Sequence, residues 1–150
     1  MTVFLRWNTE ERTVKFYMRI KLNHFESLKL VQLSLHNKGI VGYDYYLTDD
    51  VRFSILTGSH FNSAELGTVE VALMYKEHFI FGDEDHQPEE DVKAIFGSAK
   101  NSDASIIAYL DYEDFATMMA MFDMLNKKKP MSIGEIGSLF LCFYHRANNI

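Results

Sequence analysis

The chain of 150 residues contains one cysteine, two prolines and one tryptophan. A lone thiol, Cys142, cannot close an intrachain disulfide, so packing must hold the fold and a reducing compartment is expected. No stretch approaches the roughly 20 consecutive apolar residues that a membrane helix needs. Met1 to Asn8 includes Arg6 and has no long apolar run, so a signal peptide is not expected. The expectation is a cytoplasmic protein without a membrane span. Phosphate-loop, dinucleotide and nucleophile-elbow glycine patterns are all missing. The six histidines (24, 36, 60, 78, 86 and 145) form no HxH, HExxH or Cys/His framework, so neither a metal nor another cofactor is expected. These absences lean away from an enzyme. They do not exclude one, because many active sites leave no local signature.

What is present is the balance of an ordinary globular protein, with 47% hydrophobic and 24% charged residues, and the length suits a single domain over 1–150. Aromatics reach 14%, with 12 Phe and 8 Tyr, which favours sheet and an aromatic core. The formal net charge is −6. Residues 51–100 hold nine acids against four bases, so most of the excess lies there. That balance disfavours nucleic acid, which needs a basic footprint, and suits a basic protein partner.

The most strongly patterned stretch is the last forty residues. Phe115, Met118, Met119, Phe122 and Leu125 recur at helical spacing. Asp111, Glu113 and Asp114 stand at the positive end of that helix dipole, and Lys127, Lys128 and Lys129 at the negative end. Pro130 stops the helix. Ser132 with Glu135 forms a capping box for a second helix, flanked by Met131 and Ile136 at staple positions. Its apolar stripe is Ile133, Ile136, Phe140, Phe143 and Ala147, and Gly134 and Gly137 permit close packing. The first helix also carries Met121, Met124, Ala116 and Ala120 off its main stripe. Such a helix is expected to be buried between layers, with a Met-rich exposed patch as the rival reading.

Earlier in the chain, Thr2 to Trp7 and the alternating Thr13 to Lys21 read as a strand pair. The row Lys15, Arg19 and Lys21 reads as a solvated sheet face. Residues 22–39 fit either a strand or a helix. The helix is favoured by Asn23 with Glu26 as a cap and by the stripe Phe25, Leu28, Val31 and Leu35. Ile40 to Leu47 and Val51 to Thr57 read as strands around the turn Thr48-Asp49-Asp50. Thr68 to Met74 alternates. His78 to Phe81 either pairs with it across Tyr75-Lys76-Glu77 or continues it as one bent strand. Pro88 suits the start of a short helix ending near Phe96. Ala104 to Leu110 reads as a buried strand. Hairpins followed by helices predict an α+β fold: a mainly antiparallel sheet packed against a C-terminal αα-hairpin.

Three groups of residues are candidates for function. The acidic run from Asp83 to Asp91 lacks the ligand spacing of a calcium loop, so Asp83, Glu84 and Asp85 are read as steering charges on a solvated segment. Cys142 and His145 stand at i, i+3 and could form a thiolate–imidazole pair, though a cysteine in an apolar helix is usually inert packing. His60, near Asn62 and Ser63, could line a site without defined partners. The third group is Tyr43, Asp44, Tyr46, Asp49 and Asp50. Tyrosine offers contact area at little entropic cost, and carboxylates pair with basic partners. The competing reading is an aromatic strand half in the core. Taken together, the expectation is a non-enzymatic protein-binding module, an acidic inhibitor or immunity-type protein that occludes a basic partner such as a nuclease toxin. The alternatives are a secretion-chaperone or adaptor protein, and a ligand binder or enzyme with a pocket between sheet and helices.

Overall fold

The computed structural model describes residues 2–8, 13–19, 23–37, 41–57, 67–82, 88–90, 92–93 and 102–148. The elements are β1 (Thr2–Asn8), β2 (Thr13–Arg19), α1 (His24–Asn37), β3 (Val41–Tyr46), β4 (Val51–Thr57), β5 (Val69–Tyr75), β6 (His78–Phe79), a 3-10 turn (Ser102–Ser105), β7 (Ile106–Leu110), α2 (Tyr112–Lys128) and α3 (Ile133–Ala147). The strands form one sheet in the order β1-β2-β3-β4-β5-β6, and β7 pairs with β5. All pairings are antiparallel except β2 with β3, which run parallel because α1 carries the chain across between them. The architecture is α+β, with the C-terminal helices packed on the sheet, as the sequence predicts.

Period-two burial on β4 shows which face they cover. Val51, Phe53, Ile55 and Thr57 are buried, whereas Arg52, Ser54 and Leu56 are half-buried. On β5, Val69, Val71 and Leu73 repeat the pattern in register. Phe115, Met118, Met119 and Phe122 of α2 and Ile136, Phe140 and Phe143 of α3 complete the core. Phe53 is the meeting point. Its ring lies 5.0 Å edge-on from Phe122 and 6.0 Å from Phe140.

Local signals set the helix ends. The Asp111 carboxylate accepts from the Asp114 N–H at 2.8 Å. Ser132 and Glu135 form both bonds of the capping box, each 3.1 Å long. Asp114 also pairs with Arg146 at 3.5 Å, tying the start of α2 to the end of α3. The expectation that α2 is buried all round is corrected: one face is buried, while Ala120 and Met124 are exposed. Glu77 and Lys76 close a β5–β6 hairpin, not a bent strand. Beyond Pro88, the N–H groups of Val92 and Lys93 donate to the Glu89 carbonyl, one turn of helix; the rest of that expected helix lies outside the described residues.

Within the ambiguous stretch, His24–Asn37 is helix, with the Asn23 Oδ1 accepting from the Glu26 N–H at 2.9 Å. The expected inward stripe holds at Val31, which is buried, and at Leu28 and Leu35, which pack half-buried against the core, and is corrected at Phe25. Phe25 is 78% exposed, and the face toward the sheet carries Ser27, Val31 and Ser34. The reason is polar pairing. The Ser27 hydroxyl meets the Tyr43 hydroxyl at 2.5 Å, and Ser34 meets Thr57 at 2.5 Å. Buried hydroxyls without partners are costly, so these two contacts fix the rotation of α1.

β7 departs from expectation too. Val71 pairs with Ile107 and Val69 with Leu110, so Ala108 and Tyr109 together oppose Glu70. Tyr109 is 50% exposed, and the strand is half-buried rather than interior. Truncating the central ring by Phe53→Ala is expected to cost about 3–5 kcal/mol in urea unfolding, because the surrounding rings cannot collapse into the space. A loss below about 1 kcal/mol would contradict this packing.

Candidate functional site

The β3–β4 hairpin carries the expected contact residues, and its backbone explains their fates. Tyr43 is 1% exposed. Its side chain passes under α1, where its hydroxyl contacts Ser27 Oγ and donates to the Ser27 carbonyl at 3.3 Å. Burial raises its pKa far above the ordinary tyrosine value; the hydrogen bond with Ser27 opposes the rise, and Tyr45 and Tyr112 add to it slightly. Asp44 is also buried. Its carboxylate lies 3.5 Å from Arg52 Nε, and the Arg52 guanidinium also donates to the Lys76 carbonyl. Tyr43 and Asp44 are therefore interior residues, and their expected place on a partner-facing surface is corrected. The cause is the pleat together with α1: Tyr43 points to the helix layer, and Asp44 points to the other face beside a half-buried cation that needs a counter-charge.

Tyr46, Asp49 and Asp50 are placed differently. Tyr46 is 44% exposed, and both aspartates are exposed. The turn that holds them is bonded on every side. Leu47 and Thr48 donate backbone N–H groups to the Val51 carbonyl at 2.9 and 3.2 Å. Thr48 Oγ1 accepts from Asp50 and Val51 N–H at 3.2 and 3.1 Å. The Lys76 N–H donates to the Asp50 carbonyl at 2.7 Å. Asn126 of α2 donates its amide to the Leu47 carbonyl at 2.9 Å, and its side-chain oxygen accepts from the Met131 N–H at 3.1 Å. One side chain thus clasps the β3–β4 turn to the α2–α3 turn. Sequence reasoning passed over Asn126, whose bond to Leu47 spans 79 positions. It also passed over Arg52, although the hairpin register placed that base diagonal to Asp44 on one face.

The other candidates do not converge. Asp83, Glu84, Asp85, His60 and His86 lie outside the described residues, whereas Glu89 and Glu90 are exposed. Cys142 and His145 are exposed on α3, so the cysteine is not the packed core residue its apolar helix suggested. His24 and His36 sit on α1 and His78 on β6. Among the described residues, no three His, Cys, Asp or Glu side chains gather closely enough to hold a metal ion, and no helix is long and apolar enough to cross a membrane. The layer between sheet and helices, where a ligand pocket was the alternative, is filled at its centre by Phe53, Phe122 and Phe140. No protein-family model, no curated protein and no solved structure matches the chain.

Two outcomes follow from the buried pair of residues. Replacing Asp44 by Asn leaves Arg52 half-buried without its counter-charge, and about 2–3 kcal/mol of stability should be lost in denaturant titration. Unchanged stability would show that the Asp44–Arg52 pair does not hold the hairpin. Tyr43 keeps its proton in the folded state at pH values where an unfolded tyrosine loses it. The unfolded chain therefore binds fewer protons above pH 10, and stability falls as pH rises, by up to about 1.4 kcal/mol per unit from this group. Urea midpoints of the wild type and Tyr43→Phe between pH 8 and 11 should differ in slope, the variant falling less steeply.

Proposed function

We propose that the protein is a cytoplasmic, non-enzymatic binding module of the inhibitor or immunity type, which covers a basic surface on another protein. The observation that carries the reading is the β3–β4 turn: an exposed tyrosine, Tyr46, stands beside two exposed carboxylates, Asp49 and Asp50, on a backbone bonded to three neighbouring segments. A contact surface held in place before binding loses less entropy when the partner arrives. Tyrosine is enriched among the residues that dominate interface energy, and flanking carboxylates select for Lys or Arg opposite. The net charge of −6, concentrated in residues 51–100, would speed encounter with a cationic protein. Tyr43 and Asp44 have no part in the contact. Their role is to hold the hairpin. Asp83, Glu84 and Asp85 remain as steering charges in the proposal.

The test is capture from native lysate on the untagged protein, at low and at high salt, with wild type and Tyr46→Ala/Asp49→Asn/Asp50→Asn side by side. A stoichiometric basic protein should bind the wild type and be released by salt. The triple variant should bind it at least roughly thirty-fold more weakly, as expected for losing a contact worth about 2 kcal/mol or more. Recovery of only a small molecule, or equal capture by the variant, would discard the reading.

A further inference from the structure

The two margins of the sheet are built differently. The strand order ends at β1 on one side and at β6 and β7 on the other. β7 carries the extra residue at Ala108 and Tyr109. β1 carries no such device. Its pairing with β2 runs unbroken from Thr2–Arg19 to Asn8–Thr13, and it contains no proline and a single charged residue, Arg6. Among the described residues no strand joins its outer side. A regular edge of this kind is a template for another strand, and folded proteins usually block it with a bulge, a proline or a lysine. The β1–β2 hairpin is also lightly supported. β2 is joined to β3 through Tyr17–Gly42 and Met18–Tyr43, so residues 13–16 pair with β1 alone among the described residues. A two-stranded hairpin is marginal in water and gains stability from a third strand.

The sequence of β1 says which strand fits. Val3, Leu5 and Trp7 share one side of it, and their register partners in β2, Met18, Phe16 and Val14, are apolar too. Setting β1 antiparallel to a second β1, about a two-fold axis at Leu5, pairs all seven residues. Leu5 then stands opposite Leu5, and Val3 opposite Trp7, so the apolar side stays apolar across the junction. On the other side Thr2 stands opposite Asn8, and each Arg6 meets Phe4 of the other copy, a cation–π pairing and not a like-charge one. That matters because Arg6 already stands opposite Lys15 in β2. We infer that β1 is a self-association edge, which takes β1 of a second copy of this chain in antiparallel register about Leu5. An isologous contact of this kind closes on itself. The product is one sheet running through two molecules, and the extra residue on each β7 stops growth at the dimer. The inference is independent of the basic-partner reading, whose contact residues lie on the β3–β4 turn.

Sedimentation velocity of the purified chain, run from about 5 μM to about 500 μM, should show the average mass rising with concentration and levelling at twice the monomer. Cysteine trapping tests the register. In a Cys142→Ser background, Leu5→Cys should give a disulfide-linked dimer on mild oxidation, because residue 5 meets its own copy with Cα atoms about 4.5–5.5 Å apart. Asn8→Cys in the same background should not, because the two copies of residue 8 lie about 20 Å apart. Leu5→Lys and Leu5→Glu should each self-associate at least about tenfold more weakly than wild type, since like charges meet at the axis. An equimolar mixture of the two should associate at least about tenfold more tightly than either alone. Leu5 also stands opposite Phe16, so simple damage to the hairpin would leave the mixture as weak as its components. A wild type that stays monomeric at about 500 μM, a mass that grows past the dimer, equal trapping at both cysteine positions, or a mixture no tighter than its components each overturns the inference.

Discussion

The contact of the Phe53 ring with Phe122 and Phe140 is the constraint on which the rest of the structure depends. It joins the middle of the sheet to both C-terminal helices through one side chain. Once it is made, the alternation of β4 determines which face of every neighbouring strand is buried, because antiparallel register carries the pleat from strand to strand. It also sets the layer under which α1 must fit. The sheet end bearing the exposed turn follows from the same contact, since α2 can only reach Leu47 through Asn126 if Phe122, one turn earlier, is seated on Phe53.

The third helix shows a different balance. α1 turns two serines inward and leaves Phe25 and Leu33 largely outside. The inward face still buries Val31, with Leu28, Leu30 and Leu35 packed half-buried against the core. Two hydroxyl pairs weigh on the outcome, because rotating the helix would carry both serines outward, leave the Tyr43 and Thr57 hydroxyls buried without partners at about 1–3 kcal/mol each, and uncover Val31. That cost exceeds the gain from covering one phenylalanine, about 1.5–3 kcal/mol.

What could be read in the sequence was what neighbouring residues decide. The capping box at Ser132, the acids at the start of α2, the lysines at its end and the stop at Pro130 all act within a few positions, and each stands where the pattern placed it. The alternation of β5 was equally legible. The rotation of α1 was not, because its hydroxyl partners lie 16 and 23 positions away and only the assembled sheet brings them together. The candidate site divides in the same manner. Asp49 and Asp50 belong to a turn and are exposed as expected. Tyr43 and Asp44 were assigned to the surface by residue type, but one lies beneath a helix and the other beside a diagonal arginine.

The doubled residues Ala108 and Tyr109 bear on how this molecule can be recognised. A sheet whose outer strand is regular offers a ladder of unbonded amides that another extended segment can join, and many complexes and many aggregates form that way. On β7 the extra residue twists the margin and breaks the amide spacing after Ile107. A visiting strand would find only a short run to zip onto along that side. Recognition there must proceed through side chains, and the same kink guards the sheet against open-ended stacking.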